Sequence, residues 1–198
     1  VNKFKNGYEL NMFIMPSVGF VNRHIDYWRD SKSYNVRRSD FILSNISVNM
    51  SLGKNNLSHD GISHNFTYSY SLSTGLPDLM SLIDVVDDSN PLYISEGNPD
   101  LRSSVSHNHM LGWGVSGHNM MSNTLSLSYS YENNSIVNGN TYDTATGVSR
   151  MRRYNVSGSN NISLSDYSHL AFGRNSSFTL STSPSVSRRH SVDMLGIN

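Results

Sequence analysis

Apolar residues alternate with serine, asparagine or threonine along seven stretches of this chain, over lengths that reach across a membrane. Phe66-Thr67-Tyr68-Ser69-Tyr70-Ser71-Leu72 and Leu125-Ser126-Leu127-Ser128-Tyr129-Ser130-Tyr131 are two of them. A period of two sends successive side chains to opposite faces of a strand. Each segment therefore presents one apolar face and one face of small neutral polar groups. A soluble sheet facing water usually carries Lys and Glu on its wet side, whereas a water-filled lumen accepts Ser and Asn.

Parity assigns the faces strand by strand. In the first, Tyr8, Leu10, Met12, Ile14, Val18 and Phe20 share a face, and Pro16 marks an edge, a bulge or a break in pairing. The second, about Asp40 to Gly53, turns Ile42, Ile46, Val48, Met50 and Leu52 outward. The third, about Ile62 to Gly75, sets Phe66, Tyr68, Tyr70 and Leu72 against Thr67, Ser69, Ser71 and Ser73. The fourth, about Leu101 to Gly117, presents Val105, Leu111, Trp113 and Val115. The fifth, about Asn123 to Tyr131, presents Leu125, Leu127, Tyr129 and Tyr131. The sixth, about Arg152 to Ser165, presents Tyr154, Val156, Ile162 and Leu164, and the seventh, about Ser177 to Arg188, Phe178, Leu180 and Val186. No segment sustains a helical period, so the chain is expected to be all-β.

The connections alternate in length. Val21–Ser39, Leu76–Asp100 and Glu132–Met151 are long; Lys54–Gly61, His118–Ser122 and Asp166–Ser176 are shorter. An up-and-down barrel with loops on one rim and turns on the other gives this order. The expected fold is an antiparallel transmembrane β-barrel segment of about seven or eight strands, an open part of a larger barrel. Tyr68 and Tyr70 lie about as far from the short-turn end as Tyr129 and Tyr131, as an interfacial girdle requires. The alternative is a soluble secreted β-sandwich or adhesin-like binding module, in which the same rings fill a core and loop lengths need not alternate.

Composition narrows the partners. Lys+Arg and Asp+Glu are 15 each, which leaves no electrostatic case for nucleic acid. Cysteine is absent, excluding disulfides and Cys-ligated metals. No apolar run approaches the roughly 18 residues of a transmembrane helix, a test that barrel strands escape. The chain starts at Val1 without Met, a basic start or an apolar signal core, and is read as an internal piece of a longer chain.

One phrase is more specific than the alternation. Asn90-Pro91-Leu92-Tyr93-Ile94-Ser95-Glu96-Gly97-Asn98-Pro99-Asp100-Leu101 is followed by Ser106-His107-Asn108. Pro91 and Pro99 fix φ and hold Asn90 and Asn98 extended, while Gly97-Asn98 is a pair tolerant of positive φ; together they make a rigid return from loop to strand. The phrase resembles the barrel region of TonB-dependent outer-membrane receptors of the Bacteroidetes type, where a long loop ends in N-P-L-x-I-x-x-G-N-P-x-L before a strand containing S-H-N. Upstream Leu76-Pro77 and Leu82-Ile83-Asp84, and downstream Tyr142-Asp143, Thr146-Gly147 and Tyr154-Asn155-Val156-Ser157-Gly158, resemble the same family. Arg102-Ser103 departs from the family, which usually has a Pro soon after the Leu. The resemblance implies a bacterial outer-membrane location and a parent barrel of roughly two dozen strands filled by a plug domain. It also implies plug-gated import of a nutrient ligand driven through TonB. Membrane lipid, the rest of the barrel and the plug are the implied partners, with TonB a partner of the parent protein. No segment matches the plug or a TonB box, and the ligand is not readable. The motif residues Asn90, Pro91, Leu92, Gly97, Asn98, Pro99, Leu101, His107 and Asn108 are assigned structural roles.

Other polar clusters are weighed against plainer readings. His107 and His109 share a strand face but lack a third metal ligand. Asp84, Asp87 and Asp88 could offer carboxylates to Ca²⁺ but lack the spaced ligands and fixed glycine of an EF-hand, so they read as a solvated acidic loop. Arg37, Arg38, Arg150, Arg152 and Arg153 cluster where loops meet strands, suited either to lipopolysaccharide phosphates or to loop solubility. No G-x-S-x-G phrase or Ser/His/Asp order supports an enzyme, including one using His64, His107 or His109. No catalytic, cofactor or metal residue is assigned, and the chain is read as non-enzymatic.

Overall fold

The computed structural model describes residues 2–3, 8–54, 62–117, 121–173 and 176–197, with backbone alone at 2–3, 41, 43–46, 54, 195 and 197. Among the described residues the structure is all-β apart from a short 3₁₀ turn, η1 (Met80–Leu82), and a 3₁₀ residue at Ser176. A nine-stranded antiparallel sheet contains β1 (Asn2–Lys3), β2 (Tyr8–Arg29), β3 (Lys32–Lys54), β4 (Ser63–Gly75), β7 (Ser104–Ser116), β8 (Ser122–Asn133), β11 (Asn160–Phe172), β12 (Phe178–Thr182) and β13 (Ser185–His190). Its strands follow the chain in up-and-down order. Among the described residues, β1 and the β12/β13 edge do not pair with each other, so the sheet is not closed.

Five further strands form a second sheet in the order β14-β9-β10-β6-β5. They are β5 (Val86–Asn90), β6 (Tyr93–Glu96), β9 (Ser135–Tyr142), β10 (Ser149–Val156) and β14 (Met194–Ile197). Two of the expected long loops supply β5, β6, β9 and the first residues of β10. Their backbone groups are satisfied by pairing with each other: β9 with β10 antiparallel, and β6 alongside β10 in parallel.

The structure corrects several boundaries. Val21–Ser39 is not a loop: β2 and β3 continue as one hairpin to a two-residue turn, Asp30-Ser31, with φ of 49° and 62°. Both turn residues in the left-handed region is the twist-matched geometry for a tight hairpin. The expected sixth strand is two strands in different sheets, β10 and β11, separated at Ser157–Ser159. The seventh is broken at Ser183-Pro184 into β12 and β13, which keep one register on β11; Asp166 N–H donates to the Pro184 carbonyl across the break. Asp166–Ser176 is not a connection throughout: β11 continues to Phe172. Residues 55–61, 118–120 and 174–175 lie outside the described residues.

Pro16 sits at a β-bulge, as its missing N–H favours. Pro16 pairs with Ile46 but Val18 with Leu43, so β3 carries one extra residue there. The bulge reverses parity along β3. Ile42 consequently stands opposite Gly19 and leaves the face to which simple alternation assigned it; Phe41 and Leu43 take the positions opposite Phe20 and Val18.

Candidate functional site

The register aligns the apolar stripes of separate strands into rows. One row runs Met12, Met50, Tyr68, Leu111, Leu127, Leu164, Val186; the next toward the long-loop end runs Ile14, Val48, Tyr70, His109, Tyr129, Ile162, Arg188. These side chains do not form a core. Met12, Ile14, Phe20, Phe66, Leu111, Leu125, Ile162, Leu164, Phe178, Leu180 and Val186 are all exposed. An apolar band this broad on an open face requires an apolar medium.

The slope of the band identifies that medium. Ile162 is the uppermost apolar residue of the outward stripe on β11, and its row meets β2 at Ile14. On β2 the stripe continues to Phe20, about six residues higher, before Asn22. About six residues at about 3.4 Å raise the boundary about 20 Å, over strand spacings that total about 24 Å. The band thus crosses the hydrogen-bond rows at about 40°, the tilt that transmembrane barrel strands take against the bilayer normal, about 35–45°. A sandwich core has no reason to climb diagonally across its own sheet.

Aromatic rings mark the upper boundary. The Tyr70 hydroxyl lies 2.9 Å from His107 Nδ1, and the Tyr68 hydroxyl 3.0 Å from His109 Nδ1. His107 stacks on Tyr131 with centroids 4.4 Å apart, and Tyr70 lies 4.9 Å from His109. The two tyrosine pairs are offset by one row: Tyr70 shares its row with Tyr129, and Leu72 shares the next with Tyr131. Near the opposite end, Trp113 stacks with Phe66 and His64. Rings with one apolar side and one polar tip suit the two water interfaces of a bilayer.

The other face of the large sheet is mostly Ser, Asn and Thr, with Ser128 and Ser163 hydroxyls 2.6 Å apart across β8 and β11. Phe13, Met15, Met110 and Tyr167 interrupt it and are exposed. Conversely, Asp166 interrupts the apolar stripe between Leu164 and Leu170. Asn123 donates to one of its oxygens at 2.6 Å and Ser168 to the other at 2.8 Å, which compensates the carboxylate locally.

The second sheet stands over the polar face at the long-loop end. Ser106, Asn108 and Ser130 of the large sheet line one cavity of about 340 Å³ together with Ser135, Ile136 and Val137 of β9. The buried apolar residues Leu82, Ile83, Leu101 and Pro77 belong to the connecting segments here. Arg23 clamps this layer through the Pro77 carbonyl (2.7 Å) and Arg38 through the Leu101 carbonyl (2.7 Å). Both guanidinium groups also hold Asp40, at 2.9 and 3.0 Å. Burial works against the Asp40 carboxylate, but the hydrogen bonds from Arg23 and Arg38 outweigh it and keep its carboxyl below the usual range.

The Asn90–Leu101 phrase runs through this layer. Asn90 Oδ1 accepts from Leu92 N–H (3.1 Å), closing the β5–β6 turn around Pro91, and the Leu92 carbonyl receives Ser149 N–H at 2.9 Å. Asn98 is buried; its amide donates to the Arg153 carbonyl at 2.8 Å and its oxygen accepts from Asp100 N–H at 3.1 Å. Neither Gly97 nor Asn98 takes a positive φ. The glycine is required for a different reason: a Cβ there would lie 1.7 Å from the Ile83 carbonyl oxygen. Pro99 leads into the buried Leu101.

A profile of the outer membrane protein beta-barrel family matches residues 55–194. The chain belongs to that family. As an outer-membrane β-barrel protein it sits in the bacterial outer membrane, and the family is not one of enzymes. No curated protein and no solved structure matches the chain. No helix among the described residues is long and apolar enough to cross a membrane, which bears only on helices.

Within this outer-membrane barrel protein, the polar clusters of the sequence disperse. His107 and His109 point with the lipid-facing stripe, and Asn108 lies on the opposite face. Asp87 and Asp88 each receive Arg29 at 3.1 Å; the Ser89 backbone N–H and hydroxyl, with Arg29, hold the Asp87 carboxyl below its usual range. Arg150 pairs with Glu96 at 2.8 Å, and Arg153 donates to the Ser81 hydroxyl. Of the arginines suggested for lipopolysaccharide, Arg38 turns inward to Asp40, while Arg37 stays exposed. Sequence reading missed the Arg23–Asp40–Arg38 clamp because simple alternation ended β2 at Phe20.

Proposed function

We propose that this chain is part of the barrel of a TonB-dependent outer-membrane receptor of the Bacteroidetes type, importing a nutrient ligand. The observation that carries the reading is the Asn90–Leu101 phrase with its following Ser106-His107-Asn108, a pattern resembling that receptor family. Its placement favours the reading too. The phrase fastens a folded layer over the polar side of the sheet, where an importer needs a selective outer mouth. Phe13, Met15 and Met110 are apolar residues on the lumenal parity, and an interior plug domain would cover them. Lipid, the remaining strands and the plug are the partners of this reading, with TonB acting on the parent protein.

The test is the full reading frame and its transport. An upstream plug domain, and uptake that stops when TonB is deleted, support the assignment. A signal peptide directly before Val1 with a stop codon soon after Asn198 overturns it, leaving a small outer-membrane barrel with another task.

A further inference from the structure

The cleft between the upper β2–β3 hairpin and the second sheet holds a cation, Arg152, whose cross-strand neighbour Glu96 is paired with a different arginine. The cleft encloses about 250 Å³ and is lined by Tyr27, Arg29, Met80, Met151, Arg152 and Arg153, together with the carboxylates of Asp78, Asp87 and Glu96. The carboxylates are engaged unequally. Asp87 is held by Arg29 at 3.1 Å and Glu96 by Arg150 at 2.8 Å, but Asp78 has Arg153 only at 4.0 Å and is more than half exposed. Arg152 pairs with no carboxylate among the described residues. Among the described residues its side chain makes one hydrogen bond, from Nη2 to Asn98 Oδ1 at 3.3 Å; its Cζ lies 5.8 Å from the Tyr154 ring centroid, and its Nε is buried with no partner among those residues. A half-buried guanidinium whose Nε–H is buried without an acceptor, and whose other contacts are a neutral amide and a ring, leaves part of its hydrogen-bonding capacity unmet. An anion reaching the cleft side of the group would relieve it, by charge-assisted hydrogen bonds.

We propose that this cleft binds a small zwitterion with a free carboxylate and a free amine, of amino-acid to dipeptide size. The carboxylate pairs with Arg152, the ammonium with Asp78, and apolar side chains rest on Tyr27, Met80 and Met151. The pairing selects this class. With Asp87 held by Arg29 and Glu96 by Arg150, the groups left to a ligand are the cation of Arg152 and the carboxylate of Asp78; a molecule with one charge of each sign matches both, whereas a phosphate dianion is repelled by Asp78. The inference deepens the transporter reading, on which it rests for the outward orientation of this rim.

The test is calorimetric titration of the purified full-length protein in detergent micelles with four probes: leucyl-leucine, its C-terminal amide, its N-acetyl form and inorganic phosphate. Leucyl-leucine should bind at least tenfold more tightly than the amide or the N-acetyl form, and phosphate should bind most weakly. Arg152→Gln should bring leucyl-leucine down to the level of the amide, and Asp78→Asn should bring it down to the N-acetyl form. Because Arg152 contacts Asn98, Arg152→Lys serves as a second variant; it should keep part of the preference for the free acid. Equal binding of all four probes, phosphate as the tightest, or no binding by a correctly folded protein overturns the proposal. Ligand binding in micelles is independent of energised import. Loss of TonB-driven uptake with the binding pattern intact therefore indicts the transport reading alone.

Discussion

Below its rim the protein leaves large apolar side chains open, and at the rim it buries a few of them almost completely. Phe20 and Val186 are each 66% exposed, whereas Leu101 is 1% exposed. The two regions are built for different solvents. The rim folds as a water-soluble domain does, enclosing Pro77, Leu82, Ile83 and Leu101 and satisfying loop backbone through Asn90, Asn98 and Asn155. The sheet below encloses nothing with its stripe and stands on backbone pairing, which in hydrocarbon has no competitor from water. Its apolar residues contribute only once lipid covers them. The chain has two tryptophans, one in each region: Trp28 on the hairpin above the stripe and Trp113 within it. Each therefore reports on its own half once the other is changed to Phe.

The largest expected effect is on the rim alone. Gly97→Val puts a branched side chain where a Cβ already meets the Ile83 carbonyl oxygen at 1.7 Å, so the backbone must separate. The cost should be about 4 kcal/mol or more. In lipid vesicles, protease should then cut within 76–101 while Trp113 fluorescence stays that of the parent. If Trp113 shifts as well, the two regions are one cooperative unit and the comparison fails. Leu101→Ala comes next, at about 3 kcal/mol for a cavity in a core with few other members. It should lower the denaturant midpoint read by Trp28, in a Trp113→Phe background, and leave that read by Trp113 in the reciprocal background.

Legibility in the sequence follows the same division. A period of two is a local signal, so the stripes of β4, β8 and β11 and the polar face opposite them could be read residue by residue. What escaped was information that alternation does not hold. One extra residue in β3 inverted the parity of Ile42, a change visible only in the pairing. The two-residue Asp30-Ser31 turn lacks the Gly or Asn that usually announces a tight hairpin, so a strand pair read as a loop. The second sheet draws its strands from segments up to about a hundred residues apart, β5 to β14, and no short-range pattern encodes that. At the rim, the Asn90–Leu101 phrase was legible as punctuation, but Gly97 was given the wrong reason: its constraint is the distance to Ile83, a residue outside the phrase.

A charge on one face or the other sharpens the comparison at lower amplitude. Leu127→Arg places a guanidinium mid-stripe and should cost about 2–4 kcal/mol of insertion, whereas Ser128→Arg, one residue on and facing the polar side, should cost close to nothing. Folding into vesicles, followed by Trp113 fluorescence, separates the two. Equal penalties would mean that the polar face also meets an apolar surface in the assembled barrel.

The smallest effect is one of pH, and it belongs to the rim. Asp40 has its carboxyl held below the ordinary value of 3.8: burial opposes ionisation, but the hydrogen bonds from Arg23 and Arg38 prevail. A carboxyl with a depressed folded-state pKa adds stability that is present above its unfolded pKa and is lost as pH falls through the folded one. Rim stability should therefore be flat from neutrality to about pH 4 and decline below it, as protonated Asp40 releases the two arginines that clamp Pro77 and Leu101. Trp28 denaturation midpoints measured across that range should show the decline, and Asp40→Asn should remove most of it while lowering the neutral-pH midpoint. A decline of equal size in Asp40→Asn would assign the acid sensitivity to other rim carboxylates, Asp87 foremost, whose carboxyl is also held low by Ser89.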